Sequence, residues 1–261
     1  MTDHHERIAS IRAFWDNQAK EHETGLAATT PDPLAKDLEI AALVRHLDPA
    51  RDTLEMGCGN GVNIVRLLDH LRGSIVGVDY SETMIAAAKQ AMRGNLDSHR
   101  VRFTEGDILG DLKPFGTMSQ IFTDRCLINL PSLDLQIEAL ENLVSILRPG
   151  GRLVLIESVR QGQEKLNSLR EMIGLAPIAY HWHNLYLDEP EFLARVPRSL
   201  RHVETDNFAS LYFVISRVFN AKLTPEGQNP DYLAPINKIA AALPSFGDCA
   251  PLKLFQFEKI G

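Results

Sequence analysis

The sequence predicts an α/β fold with a doubly wound, mostly parallel sheet. Two observations carry this prediction. Short apolar runs alternate with amphipathic segments of helical spacing, and a glycine-rich turn follows the first of these runs. Strands that alternate with amphipathic helices form βαβ units, in which helices cover both faces of a parallel sheet. With 261 residues, of which 44% are hydrophobic, the chain is long enough to bury a large core.

The elements follow in order along the chain. One helix is predicted over 6–20, and a second follows the proline-rich segment at 29–37. The regular part is predicted to contain strands at 52–56, 74–79, 100–104, 118–123 and 152–157, helices at 61–72, 81–93 and 132–147, and a turn at 148–151. Beyond it we expect a polar helix at 160–174, strands at 207–216 and 252–260, and a proline-interrupted helical segment at 217–250. The strand at 252–260 alternates apolar and polar residues, as an antiparallel strand does.

Composition narrows the possible partners. The net charge is −7, with a pI near 5.7, which argues against non-specific binding to nucleic acid or anionic lipid. A basic run at 195–202 is interpreted as a solvated helix face. No apolar stretch approaches the roughly 18 residues that a membrane span needs, and the polar N-terminus does not resemble a secretory signal. Three cysteines without paired spacing are typical of a reducing compartment, so we expect a cytoplasmic protein.

Three glycines stand at alternate positions in TLEMGCGNGVN, residues 53–63, directly after the first predicted strand. A strand, a glycine turn and a helix place backbone N–H groups at a positive helix N-terminus, which binds nucleotide-like ligands. A dinucleotide-binding loop normally reads G-x-G-x-x-G. Here the glycines are more closely spaced, and Glu55 stands two residues before the first of them. A carboxylate in that place repels pyrophosphate and attracts an ammonium or sulfonium group.

Two further acids follow the next two predicted strands. Asp79 is placed to accept hydrogen bonds from ribose hydroxyls, and Asp107 is placed to accept one from an adenine amine. Met84 and Ile108 offer apolar faces to a purine. Taken singly, these features also fit a tight turn or a helix cap at Ser81. Their repetition across three βα units favours binding of a nucleoside with a positively charged tail and no phosphate.

These motifs resemble the class I S-adenosylmethionine-dependent methyltransferases. The resemblance covers residues 36–157 and rests on the order and spacing of LEMGCGNG, VGVDYSETMIAAAKQ, FTEGDI and IFTDRCLINLPSLDLQIEALENLVSILRPGGRLVLIE. It implies a Rossmann-like sheet of seven strands with an antiparallel last strand, and S-adenosylmethionine as the cofactor. Many members show a His before the Leu-Pro of the fourth motif, and this chain does not.

The resemblance also implies a set of cofactor-binding residues, namely Glu55, Gly57, Cys58, Gly59, Asp79, Tyr80, Met84, Asp107, Ile108 and Arg125. In this set the glycines line the methionine moiety, and Glu55 holds the loop and the amino group through water or neighbouring backbone. Asp79 accepts the ribose hydroxyls. The adenine is contacted by Tyr80, Met84, Asp107 and Ile108. Arg125 is open to three roles: it anchors the cofactor carboxylate, anchors an acidic group of the substrate, or forms a structural ion pair.

The segments outside this core are expected to form a lid. We divide the chain into an N-terminal helical cap over 1–35, a cofactor-binding core over 36–157, a lid insertion over 158–206, and a segment over 207–261 with the last two strands and an inserted helical lid at 217–250. Ligands of doubly wound sheets bind beyond the carboxyl ends of the strands, so the lid pieces should meet there. A lid of this size favours a small or medium substrate that is shielded from water.

The most chemically suggestive part of the lid reads AYHWHNLYLDE. His181 or His183 is a candidate general base, since histidine titrates near neutrality, and Tyr180, Trp182 and Tyr186 are candidate substrate contacts. The alternative is that all of them only pack the lid. No neighbouring acid or cysteine completes a metal site around the two histidines, so no metal is expected.

The expected function is S-adenosylmethionine-dependent methyl transfer by in-line displacement to a small molecule, most simply a hydroxyl oxygen of a sugar or specialised metabolite. A weaker resemblance of the lid to bacterial surface-glycan and specialised-metabolite methyltransferases supports that substrate class. Three alternatives stay open: methylation of tRNA or protein, an NAD-dependent oxidoreductase on a similar fold, and a non-catalytic binding module. No nucleic-acid or membrane partner is expected, and the chain is compatible with a monomer or a homodimer.

Overall fold

The computed structural model describes residues 2–261, with side chains from residue 4 onward, so the first residue of the predicted 1–35 cap lies outside the described part. The strands are β1 Thr53–Met56, β2 Ile75–Asp79, β3 Val101–Glu105, β4 Met118–Asp124, β5 Leu147–Ser158, β6 Leu200–Asp206 and β7 Leu252–Lys259. They form one seven-stranded sheet in the order β3-β2-β1-β4-β5-β7-β6. Strands β1 to β5 are parallel, and β7 is antiparallel to both of its neighbours. The predicted fold class is confirmed.

Ten α-helices surround the sheet in the described part of the chain. They are α1 Thr2–His22, α2 Pro33–His46, α3 Val62–Leu67, α4 Glu82–Ala91, α5 Leu133–Ile146, α6 Arg160–Met172, α7 Glu189–Arg195, α8 Ser210–Val214, α9 Asn220–Leu223 and α10 Pro235–Ala242. A π-helical turn, Ile215–Phe219, joins α8 to α9. The side chains of Asp32, Ser81, Ser132 and Asp188 accept backbone N–H groups and so fix where α2, α4, α5 and α7 begin. Among the described residues, no helix combines the length and apolarity needed to cross a bilayer.

The core consists of two apolar clusters. One contains Leu43, Ile64 and Phe122, and the other contains Leu140 and Phe255; none of these five side chains is exposed to solvent. The central strands are therefore buried on both faces, which explains their continuous apolar sequences. Burial of each such side chain stabilises the fold by about 1.5–3 kcal/mol. The carboxyl ends of these strands thus form a rigid edge on which a site can be built.

The predicted strand at 207–216 is wrong. This segment forms α8 and the start of the π-helical turn, and the sixth strand is β6, just before it. Phe208, Tyr212 and Phe213 are buried at the spacing of one helix face. The sequence here is apolar almost without interruption, so this helical spacing could not be distinguished from a buried strand. β6 is an edge strand that pairs only with β7 and is exposed over most of its length, so its sequence is polar. The helical interpretation of the basic run is therefore wrong for Arg201 and His202, which lie on β6.

The predicted turn at 148–151 is also different in the structure. These residues belong to the start of β5, which runs continuously from Leu147. The start of the strand is irregular, because Gly150 has a φ of +69° and the pairing with β4 shifts register between Met118 and Gln120. Glycine adopts this φ without the steric cost that a side chain brings, which accounts for the turn-like sequence.

Helix α1 is fastened across the carboxyl edge of the sheet. Arg12 forms an ion pair with Glu105, with 2.9 Å between nitrogen and oxygen, and Trp15 Nε1 donates to Asn129 Oδ1 at 3.1 Å. Directly after the helix, the carbonyl oxygens of residues 23 and 25 accept hydrogen bonds from the side-chain Nδ2 of Asn60 at 3.0 and 2.9 Å. Helix α1 is therefore anchored to the turn after β4, and the segment that directly follows the helix is anchored to the glycine loop.

Candidate functional site

A cavity of about 560 Å³ lies at the carboxyl ends of the parallel strands. We call its first part the cofactor half, which is lined by Gly57, Gly59, Asp79 and Asp107. We call its second part the lid half, which is lined by Phe14 and Trp15 of α1, by residues 178, 181–184 and 186, and by Arg217. The N-terminal cap, the segment after β5 and the helical segment before β7 thus contribute to the same cavity, as a lid would.

The glycine loop presents its backbone to the cavity. Gly57, Gly59 and Gly61 have φ values of +76°, +51° and +78°, which side chains rarely adopt. The N–H groups of Gly57 and Cys58 donate to Val78 O at 2.8 and 2.9 Å, which fixes the loop on β2. A Cβ atom added to Gly57 would lie 2.7 Å from Cys126 Sγ. Only glycine fits this place, and the loop forms a close backbone cradle for a ligand.

Asp79 stands at the end of β2 with its carboxylate beside this cradle. It accepts the N–H of Gly59 at 2.8 Å and that of Ser81 at 2.9 Å, one on each oxygen. Each carboxylate oxygen has a second lone pair, so both can still accept a hydroxyl. Burial raises the pKa of Asp79 to about 6. The arrangement fits the two hydroxyls of a ribose.

The residues predicted to surround an adenine also line the cavity. They are Tyr80, Met84, Asp107 and Ile108. Met84 and Ile108 are 2% and 7% exposed, so the protein packs around most of their surface and only a small apolar part faces the cavity. The structure thus brings together the predicted ribose and adenine contacts in one place.

A buried charged cluster beside the glycine loop was missed by the sequence reasoning. Lys36 Nζ contacts Glu39, lies 2.5 Å from Asp124 Oδ2 and donates to Asn63 Oδ1 at 3.1 Å. Glu39 and Asp124 line the cavity, and Glu39 Oε1 is buried without a hydrogen-bond partner among the described residues. An unpartnered buried acceptor is costly, so a donor from a ligand is expected there.

Two of the predicted cofactor contacts, Glu55 and Cys58, do not line the cavity. Glu55 is fully buried and accepts a hydrogen bond from Asn63 Nδ2 at 2.7 Å. Burial raises the pKa of this carboxyl well above its ordinary value. Since Asn63 also donates to Asp124 Oδ2 at 3.0 Å, Glu55 reaches the cavity only through Asn63. The role predicted for Glu55, to hold the loop and the amino group of the cofactor, stays a prediction, and Glu55 would act on the cofactor only through neighbouring residues.

Arg125 lines the cavity directly after β4 in a strained backbone conformation. Its φ is +56°, which is uncommon for a residue with a side chain, and its N–H donates to Ile156 O at 2.7 Å. The guanidinium lies 3.2 Å from Glu39 and 3.3 Å from Asp124. Arg125 therefore forms the ion pairs that were one of its three predicted alternatives, and it completes the charged cluster.

Glu157, near the end of β5, holds the turn that follows Arg125. Its Oε1 accepts the N–H groups of Cys126 and Leu127 at 3.1 and 3.0 Å and the hydroxyl of Thr123 at 2.9 Å. Its Oε2 accepts the N–H of Ile128 at 3.3 Å. A buried carboxylate with this many donors fixes the backbone of the cavity wall.

Four of the five predicted lid residues line the cavity: His181, Trp182, His183 and Tyr186. Tyr180 does not; it is 45% exposed and packs edge-on against Tyr186, with 5.0 Å between ring centres. In the part of the chain that the structure describes, no three His, Cys, Asp or Glu side chains are grouped as metal ligands would be.

His183 is enclosed by aromatic rings. It stacks on Phe14 with 4.2 Å between ring centres, and Trp15 meets it edge-on at 5.5 Å. Burial, followed by the neighbouring His181, lowers the pKa of His183 to about 4. Its Nδ1 is buried without a hydrogen-bond partner among the described residues. His183 is therefore neutral at physiological pH.

The region of the chain that matches known proteins includes the residues of the cofactor half. Residues 53–151 match the family model described as a methyltransferase domain. A carboxy-S-adenosyl-L-methionine synthase of Chromohalobacter salexigens is 34% identical over 128 residues, 48% of this chain and 46% of that protein. A tRNA U34 carboxymethyltransferase of Idiomarina loihiensis is 32% identical over 125 residues, 46% of this chain and 37% of that protein. The chain spans about half or less of the length of these two relatives.

The solved structure of the CcbJ methyltransferase from Streptomyces caelestis has the same fold, with a TM-score of 0.59 at 15% identity over 90% of this chain and 92% of that one. The family match includes the glycine loop and both acids that face the cavity. It decides between the methyltransferase and oxidoreductase interpretations of that loop in favour of the first. Residues 53–151 thus form a methyltransferase domain, and S-adenosylmethionine is the cofactor to which the cofactor half corresponds.

Proposed function

We propose that the protein transfers a methyl group from S-adenosylmethionine to a hydroxyl oxygen of a small molecule held in the lid half. One observation carries this proposal: the cradle for the cofactor and the aromatic lid line the same cavity of about 560 Å³. This volume lies in the range of small-molecule sites. The aromatic lining favours a specialised metabolite over a sugar, which needs more hydrogen-bonding partners than this wall supplies.

The residues of the cofactor half bind S-adenosylmethionine and orient it. The backbone of the glycine loop and the carboxylate of Asp79 hold the nucleoside part, and Glu39 Oε1 accepts from the methionine ammonium. S-adenosylmethionine supplies a methyl group that is already activated as a sulfonium. Alignment of the acceptor with that methyl group therefore accounts for a large share of the acceleration, and the lid residues provide it by enclosing the acceptor.

A hydroxyl acceptor loses its proton during the reaction, and we propose that a lid histidine takes it. His183 is a weak base because its pKa is lowered to about 4, and its ring is held between aromatic neighbours. His181 lines the same cavity, stacks on His183 with 5.5 Å between ring centres, and is exposed. We assign proton acceptance to His181 and orientation of the acceptor hydroxyl to His183.

Calorimetric titration of the purified protein with S-adenosylmethionine, S-adenosylhomocysteine and NAD tests the cofactor part of the proposal. We expect the first two to bind and NAD to give no heat beyond dilution. Incubation with S-adenosylmethionine and a panel of hydroxylated small molecules, read out as S-adenosylhomocysteine formed, tests the acceptor part. Binding of NAD alone, or turnover on no small molecule, would contradict it.

Methylation of a macromolecule is a second candidate, favoured by the similarity to a tRNA U34 carboxymethyltransferase. The net charge of −7 and the lid over the cavity speak against it, because RNA recognition relies on basic surfaces. The same assay with bulk tRNA and with ribosomal protein in place of the small molecules separates the two candidates. Labelling of either macromolecule, with no turnover on small molecules, would favour this second function.

A further inference from the structure

The lid half contains a cation that the proposed methyl transfer does not use. Arg217 lies in the π-helical turn Ile215–Phe219, and its side chain lines the cavity. π-helical turns are rare and occur often at functional sites, because the extra residue redirects a side chain. Here the turn carries an arginine to the wall of a largely apolar space.

The guanidinium of Arg217 is held on three sides. Its Nη2 lies 2.5 Å from Asp32 Oδ2, and its Nη1 donates to Ser216 Oγ at 3.1 Å. The rings of Tyr232 and Phe213 lie 4.7 and 5.0 Å from its central carbon. Such cation–π contacts fix the plane of the group and leave its edges free to donate. Among the described residues it uses two of its five N–H groups, and 18% of the side chain is accessible.

Asp32 is already committed within the protein. Its carboxylate accepts the hydroxyl of Tyr212, with oxygen distances of 2.8 and 3.0 Å, and it caps α2 by accepting the N–H of Ala35 at 3.1 Å. It is 2% exposed, so it serves as a fixed support for Arg217 and not as a ligand-binding group. The negative charge of Asp32 offsets part of the positive charge of Arg217. The guanidinium N–H groups that Asp32 and Ser216 do not use remain available as hydrogen-bond donors.

The charges that line the cavity divide between its two halves. Among the described lining residues, five are acids and two are arginines. Arg125 is paired with two carboxylates next to the glycine loop, where the cationic cofactor belongs. Arg217 is the arginine that contacts the lid segments, and its neighbours are aromatic rings of those segments.

We propose that Arg217 binds a carboxylate of the methyl acceptor, which makes the substrate class an apolar, ring-sized hydroxy acid. Guanidinium forks match carboxylates in geometry. Because Asp32 already pairs with this single arginine, its remaining donors suit a monoanion better than a phosphate dianion. The aromatic walls accept the rest of the molecule. This inference rests on the proposed function, because it names the acceptor of that same site.

The test uses protein saturated with S-adenosylhomocysteine and titrated with 4-hydroxybenzoate and 4-hydroxycinnamate, each beside its neutral amide. Because hydrogen bonds to charged groups contribute more than neutral ones, we expect the acids to bind about tenfold or more tightly than the amides. Arg217→Met should remove this preference. Arg201→Met, which replaces an exposed arginine on β6, should leave it unchanged.

The outcomes separate this inference from the proposed function. If wild-type protein binds S-adenosylhomocysteine but binds acids no better than amides, the inference fails and the proposed function stands. If S-adenosylhomocysteine itself does not bind, the proposed function fails. If Arg217→Met loses affinity for S-adenosylhomocysteine while it keeps its melting temperature, Arg217 serves the cofactor and the inference is overturned. Should that variant not fold, the comparison of acid and amide on the wild-type protein still decides.

Discussion

The cofactor half and the lid half of the cavity differ in how the chain builds them. In the cofactor half, Gly57, Asp79 and Asp107 each lie at the end of a parallel strand or within two residues of it, so the sheet places them. In the lid half, Phe14, His183 and Arg217 come from three distant segments and meet only through packing. A ligand that is the same across a family can be served by local geometry. A ligand that differs between members is served by segments that can change independently.

The largest effect is expected from Asp79→Ala, which tests the cofactor half alone. The variant loses the acceptor for Gly59 N–H and Ser81 N–H as well as the ribose contact. We expect affinity for S-adenosylhomocysteine to fall by about a hundredfold or more, because several hydrogen bonds to one charged group are lost together. Calorimetry measures the affinity, and a melting curve controls for folding. Unchanged affinity in a folded variant would show that Asp79 is not a ligand contact.

His181→Ala tests the chemistry of the lid half. We expect kcat on the acceptor found by the screen to fall by about a hundredfold, while affinity for S-adenosylhomocysteine stays the same. His183→Ala is the matched variant and should lower kcat less, because the low pKa of His183 makes it a poor base. If both variants keep full turnover, neither histidine takes the proton.

The pH dependence of cofactor binding tests whether Asp79 acts as an anion. The pKa of Asp79 is raised to about 6, so the group is ionised above that pH and protonated below it. Affinity should rise as the pH increases through about 6, and it should be about tenfold weaker at about pH 5 than above pH 7. Asp79→Asn is the control, since its affinity should not follow this curve. A wild-type affinity that is flat over this range would mean that the charge of Asp79 is not needed.

The smallest effect is expected from Tyr180→Ala, which tests the boundary of the lid half. Tyr180 is 45% exposed and does not line the cavity, so the free energy of unfolding should change by less than about 1 kcal/mol. Acceptor binding should not change, whereas Tyr186→Ala, at a lining position, should weaken it. Denaturant unfolding and acceptor titration measure the two quantities. Equal losses of acceptor binding in both variants would contradict the position of this boundary.

The sequence was a better guide to the cofactor half than to the lid half, for a physical reason. The pattern that predicts a strand also predicts where its carboxyl end lies, so Asp79 and Asp107 could be placed without long-range information. Lys36 and Glu39 were missed, although charges on the apolar face of α2 are a readable signal. Arg217 could not be found, because the segment directly before it was interpreted as a strand and its partner Asp32 is 185 residues away.

Helix α1 crosses both halves, and this position has a kinetic consequence. Asn60 holds the residues directly after α1 on the glycine loop, and Phe14 and Trp15 of the helix form part of the wall against His183. One element therefore covers two different ligands. Release of the methylated product past α1 would also uncover the cofactor, so the loss of the two spent ligands is expected to be coupled.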